Sequence, residues 1–156
     1  MNGIAVFDNA EGVSGTIKLH QCSPYHCTQF YLDLRVDEAN SIHALHIHEY
    51  GNLSQGCMGS GGHYNPFGQN HGTYCIPERG RHVGDLINNV ESDSEGRIKI
   101  KFCDDFVNLY GPYSVFGRTL VIHSGEDDLG LGGDKESLIT GNAKGRMGCA
   151  IIGHDN

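Results

Sequence analysis

The feature that most constrains this chain is an apolar period of two, carried in short runs that turn clusters repeatedly cut. Ile4 and Val6; Val13, Gly15, Ile17 and Leu19; Phe30, Leu32, Leu34 and Val36; and Ile42 and Ala44 leading into Leu45 and Ile47 each read as a strand. Residues 83–90, then Ile98, Ile100 and Phe102, then Thr119 to His123 and Met147 to Ile152 supply the others. Between them lie Asp8-Asn9-Ala10-Glu11-Gly12, Asp37-Glu38-Ala39-Asn40-Ser41 and Glu91-Ser92-Asp93-Ser94-Glu95-Gly96, which are turn compositions. About eight strands at this spacing, with no amphipathic helical stretch, predict an all-β sandwich or barrel. The 156 residues predict one domain over 1–156 with a single core. Glycine, 23 residues against an average of ~7 %, fits a fold with many turns.

Two stretches break the rhythm. Residues 49–82 and 124–146 are glycine-rich and longer than the ~12–15 residues usual for structureless loops, so they are expected to be functional. A formal charge of −8 argues against a nucleic-acid or anionic-membrane partner, which would need a basic face. No apolar run approaches the ~20 residues of a membrane span. Met1 is followed by Asn-Gly and a strand-like segment, so no secretory leader is expected and the protein reads as intracellular.

The histidines concentrate at the edges of the two long loops and within them. His46 and His48 form an H-x-H pair whose period of two puts both imidazoles on one strand face, with Leu45 and Ile47 toward the core. Alone, such a pair also fits two solvated surface histidines. The first loop and its end then carry His63, His71, His82 and Asp85, and the second begins after His123. Seven ligand-type groups exceed one four-coordinate metal and point to two adjacent sites that could share a ligand.

His46-Ile47-His48-Glu49-Tyr50-Gly51, Gly62-His63-Tyr64-Asn65-Pro66 and Arg81-His82-Val83-Gly84-Asp85-Leu86 resemble the copper–zinc superoxide dismutase family. So do Gly117-Arg118-Thr119-Leu120-Val121-Ile122-His123, Asp127-Asp128-Leu129-Gly130, and Thr140-Gly141-Asn142-Ala143 with Arg146 and Cys149. The match is dense over 42–153; before it only the strand pattern and Val13-x-Gly15-x-Ile17 agree. The resemblance implies an eight-stranded Greek-key β-barrel, an immunoglobulin-like sandwich, holding one copper and one zinc. It implies copper on His46, His48, His63 and His123, and zinc on His63, His71, His82 and Asp85, with His63 bridging. It makes Asp127 the carboxylate that orients one histidine of each metal, and Arg146 the cation that meets the superoxide anion. The implied reaction yields dioxygen and hydrogen peroxide, with His63 handling a proton; the role is antioxidant defence in the cytoplasm. It further implies a homodimer through Tyr50-Gly51-Asn52-Leu53, Phe116-Gly117 and Ile151-Ile152-Gly153, and a copper-delivery chaperone as partner.

The resemblance also pairs Cys57 with Cys149 as a disulfide. Cys22 and Cys27 flank Ser23-Pro24-Tyr25-His26 and have no family counterpart; a hairpin disulfide, free thiols, or a small metal site with His20 and His26 all stay open. Cys75 and Cys103 read as free thiols without a role, His43 and His154 as ordinary surface residues, and Glu126 as part of a solvated turn. Family members often carry several lysines in the second loop, where this chain has only Lys135, Lys144 and Arg146 as cations, so weak steering of the anion is expected. Two rivals are a non-catalytic metal carrier, which should lack a copper ligand or Arg146, and a zinc hydrolase using Glu49 as base.

Overall fold

The computed structural model describes residues 1–8 and 12–156, so the expected turn at 9–11 lies outside the described residues. Ten strands are found among the described residues: β1 (Asn2–Asp8), β2 (Val13–His20), β3 (Thr28–Val36), β4 (Ile42–His48), β5 (Ser54–Cys57), β6 (Asn89–Glu91), β7 (Arg97–Asp104), β8 (Thr119–His123), β9 (Arg146–Ile151) and β10 (Gly153–His154). One sheet runs β10-β1-β2-β3-β7 and the other β6-β4-β8-β9, with every adjacent pair antiparallel. The chain leaves the first sheet after β3, builds β4 and β6 in the second, and returns to place β7 beside β3.

The all-β class is as expected, with two differences. Hydrogen bonding does not close the sheets into a barrel; the chain instead passes from one sheet to the other between β9 and β10, at Ile152. The strand count also exceeds eight, because β5, β6 and β10 have only four, three and two residues, too short to show alternation. The long loops are not wholly irregular either: the second contains a one-turn helix, α1 (Ser137–Thr140).

Alternation determines the core. Ala5, Phe7, Ile17, Leu19, Phe30, Leu32 and Leu34 from the first sheet meet Leu45, Ile47, Leu120, Ile122, Ala150 and Ile152 from the second in one buried cluster. Phe30 stacks on Phe102 at 4.7 Å between centroids. Truncating a side chain such as Ile47 to Ala would cost about 2–5 kcal/mol. In β4, Leu45 and Ile47 face this core, so His46 and His48 emerge on the opposite face of the second sheet. That face is also buried, since His46 is 0 % and His48 1 % exposed.

One glycine docks the first long loop onto it. A Cβ on Gly84 would lie 2.1 Å from the Ile47 carbonyl oxygen, so only glycine lets the Val83–Asp85 turn pack against β4. That contact carries Asp85 beneath the histidines.

Candidate metal centre

Two buried four-residue groups share one side chain. His46, His48, His63 and His123 form the first; His63, His71, His82 and Asp85 form the second; in each, one ligand atom per residue lies within 4.8 Å of the others. The structure thus brings together all seven residues expected from the sequence.

In the second group, Asp85 Oδ1 lies 3.0, 2.9 and 3.0 Å from Nδ1 of His63, His71 and His82. Its Oδ2 accepts from the backbone N–H groups of His82 at 2.8 Å and Gly72 at 3.0 Å, which fixes the carboxylate. Three imidazole nitrogens and one carboxylate oxygen are a closed set of four donors, the kind that suits a structural zinc. Burial raises the Asp85 pKa, but hydrogen bonds from the three histidines outweigh it and hold the carboxyl well below the usual range.

In the first group, hydrogen bonds decide which nitrogen faces inward. His48 Nδ1 donates to the Gly61 carbonyl at 2.9 Å, and its Nε2 lies 3.3 Å from His123 Nε2. His46 Nε2 is bonded to Asp127 Oδ2 at 2.6 Å. His46 Nδ1 and His63 Nε2 are buried and lack a protein partner, although a buried polar atom left unpaired costs about 1–3 kcal/mol. These two nitrogens and the Nε2 atoms of His48 and His123 make an all-nitrogen set suited to copper. His63 offers Nδ1 to one group and Nε2 to the other, so a single imidazole can bridge them. Burial, followed by the neighbouring His63, pushes the imidazoles of His46, His48 and His123 down, His123 to about 4, which favours the neutral form that ligates a metal.

Asp127 ties the groups together. Its Oδ1 lies 2.9 Å from His71 Nε2 while its Oδ2 holds His46, so Nδ1 of both rings is turned toward the clusters. Burial pushes His71 down, yet the hydrogen bonds to Asp127 and Asp85 overcome it and raise His71 to about 9. Asp127 is itself positioned by Asn88 and Asn89, through Asn88 Nδ2 to Oδ2 at 3.2 Å and Asn89 Oδ1 accepting from the Asp127 N–H at 2.8 Å.

Arg146 reaches the first group through a β-bulge. The β8–β9 register passes from Ile122 opposite Gly148 to His123 opposite Arg146, which leaves Met147 without a partner and places Arg146 beside His123. The guanidinium donates to the carbonyls of Cys57 at 2.7 Å and Gly61 at 2.6 Å and to Ser60 Oγ at 3.1 Å. It lines one cavity of about 380 Å³ with His48, His63, His123, Glu136, Thr140, Asn142 and Lys144. Lys135 and Glu49 are not among its lining residues. Glu49 is exposed and belongs to neither cluster, so the residue expected as base for a zinc hydrolase is not placed among the metal ligands.

The Cys57–Cys149 disulfide is present, tying β5 to β9. A second disulfide, Cys27–Cys103, corrects the expectation of a free thiol at Cys103; it joins the residue just before β3 to β7, and leaves Cys22 and Cys75 free. No small metal site appears at His20, Cys22, His26 and Cys27 among the described residues. Glu126 is exposed, as expected. His43 is not a surface residue: it is 1 % exposed, with Nδ1 2.9 Å from the His123 carbonyl and Nε2 2.7 Å from Ser41 Oγ. The signal for it was there, since His43 shares the alternation of Leu45 and Ile47.

Comparison with known proteins agrees with this geometry. A family model described as copper/zinc superoxide dismutase matches residues 13–152. The chain is 43 % identical to the copper–zinc superoxide dismutase of Kluyveromyces lactis over 156 residues, covering 100 % of this chain and 99 % of the relative. It is 42 % identical to the Saccharomyces cerevisiae protein of the same name, with the same coverage. Among solved structures it is similar to the clock protein EA4, with a TM-score of 0.88 at 34 % identity, over 97 % of this chain and 93 % of that one.

Proposed function

The chain belongs to the copper/zinc superoxide dismutase family and dismutes superoxide with copper and zinc as cofactors; on that premise, we propose which of its residues carries which part of the work. The two buried clusters sharing His63 carry the reading. His46, His48, His63 and His123 would hold the copper, and His63, His71, His82 and Asp85 the zinc. Copper, when bound, supplies a one-electron redox couple that oxidises one superoxide and reduces the next.

The residues supply positioning, charge and a proton. Arg146, locked by two carbonyls and a hydroxyl, presents a fixed cation to the anionic substrate in the shared cavity. His63 Nε2, buried and without a protein partner, is the atom that takes up a proton and passes it to the peroxide product. Asp127 keeps the tautomers of His46 and His71 fixed while that proton moves. His43 anchors the backbone of His123 from the core side.

Residues 1–156 act as a single domain. The reading extends to a homodimer, supported by exposed Tyr50 and Ile151 in the segments expected at the contact; Ile152, buried in the core, is no part of it. It also includes a copper-delivery chaperone and a cytoplasmic location; no helix among the described residues is long and apolar enough to cross a membrane. The test is His63→Ala. It should perturb both metals together and sharply reduce superoxide consumption, read by metal analysis of the purified protein beside a superoxide assay. A variant that retains one copper and one zinc at the parent rate would refute the bridging role.

A further inference from the structure

At the end of the molecule where β2 turns into β3, a group of reactive side chains stands apart from the metal clusters. His20 Nε2 lies 3.3 Å from the Sγ of Cys22, which is exposed and not in a disulfide. His20 Nδ1 lies 2.7 Å from Asn2 Oδ1. An amide oxygen can only accept, so Nδ1 carries the hydrogen and Nε2 presents its lone pair to the Cys22 thiol. A thiol, a histidine base and an amide that orients the base form the arrangement that activates a sulfur nucleophile.

The same turn puts a disulfide within reach. Ser23 to His26 form a β-turn, closed by the His26 N–H donating to the Ser23 carbonyl at 3.1 Å, with Pro24 second in the turn. The β2–β3 register ends with His20 opposite Gln29, and Cys22 and Cys27 flank the turn that follows. The two ends of a β-turn have Cα atoms less than ~7 Å apart, so the residues that flank it come within reach of the spacing a disulfide spans. Cys27 is instead bonded to Cys103, at 5.8 Å between Cα atoms. Two bridges therefore compete for one sulfur. Cys103 itself is exposed and lines a cavity of about 290 Å³, so a thiol released there meets solvent.

We propose that Cys22, with His20 as its base, is a thiol–disulfide exchange site acting on the Cys27–Cys103 bond, so that Cys27 alternates between two partners. The Cys22 proton passes to His20 Nε2 and the thiolate attacks Cys27 Sγ. The Cys22–Cys27 bond forms as the Cys27–Cys103 bond breaks, and Cys103 leaves as a thiolate that is then protonated. Nothing is oxidised or reduced overall, and no co-reactant is consumed. The exchange replaces a bridge between β3 and β7, residues 76 apart in sequence, with one that closes only the hairpin turn.

The test uses the metal-loaded protein, equilibrated in a glutathione redox buffer, acid-quenched, labelled at free thiols and mapped by mass spectrometry. Labelled Cys103 together with a Cys22–Cys27 bridge is expected in the parent, and neither in Cys22→Ser. In a separate measurement, iodoacetamide should modify Cys22 at least ~10-fold faster than Cys75, the other free thiol. His20→Gln should abolish that advantage. Asn2→Ala should reduce it and Asn2→Asp, which restores the acceptor, should recover it, while Cys75 reacts at one rate throughout. If Cys103 never appears as a thiol, or appears equally in Cys22→Ser, the exchange is overturned; if Cys22 reacts no faster than Cys75, its activation is.

Discussion

Gly141→Ala changes no ligand and no charge, yet it should weaken the hold on zinc. A Cβ there would lie 2.5 Å from both Asp127 Oδ1 and His71 Nε2, the two atoms of the 2.9 Å bond that orients His71. Ordinary contact is about 3.5 Å, so both atoms must move roughly 1 Å away from the new Cβ, which disturbs the length and alignment of their bond. Losing a bond of this charge-assisted kind costs about 1.5–3 kcal/mol. Gly141 also has φ of +66°, which adds about 1–2 kcal/mol of strain for alanine. Orienting groups of this kind typically contribute ~10–100-fold to metal affinity. The expected result is a zinc affinity ~10–100-fold lower by chelator competition, with copper less affected because Asp127 Oδ2 still holds His46. Gly133→Ala separates the two effects: its φ is +81° but nothing lies within 4 Å of its Cβ, so it should show strain without loss of zinc. Equal zinc affinity in parent and Gly141→Ala, with a matching stability loss in Gly133→Ala, would refute the claim that Asp127 acts on zinc through His71.

Replacing Cys57 and Cys149 with Ser should lower stability by about 4–5 kcal/mol, the chain-entropy value for residues 92 apart, measured by denaturant titration. It should also raise KM more than it lowers kcat, because the Cys57 carbonyl is one of the groups that hold Arg146. After chelation, stability should peak near pH 6.5. Below it the unfolded chain binds protons that His123, lowered to about 4, refuses until that pH; above it the folded chain keeps a proton on His71 that is lost only through about 9. His71→Gln should remove the alkaline decline, and a melting temperature still falling from pH 6.5 to 9 in that variant would exclude His71 as its source. Salt dependence of kcat/KM for superoxide should be shallow and reduced further in Lys144→Gln, because Lys144 lines the Arg146 cavity and Lys135 does not. An effect of Lys135→Gln as large as that of Lys144→Gln would contradict this placement.

Local chemistry was enough to single out the histidines and Asp85 that the fold clusters, while Asp127 and Arg146 were legible only through the family resemblance. Period two placed Leu45 and Ile47 inward and His46 and His48 on the other face, and ligand types at His63, His71, His82, Asp85 and His123 pointed to two adjacent sites. The same alternation pointed to a sandwich or barrel around one core, because each strand has a single apolar face to bury; that the sheets stay two and unclosed was decided by the tertiary structure. Tertiary structure decided what depends on distance across the chain. The bulge that sets Arg146 opposite His123 is a register shift between strands over 20 residues apart, and no local pattern announces it. Cys27 bonds Cys103 rather than its hairpin neighbour because β3 lies beside β7, a pairing that only the return of the chain from the second sheet creates. The nitrogen that His46, His48 and His71 turn toward the clusters was likewise invisible in sequence, since it depends on which acceptor occupies the other nitrogen. Gly61 and Asp127 supply those acceptors from loops that the fold alone brings to the histidines.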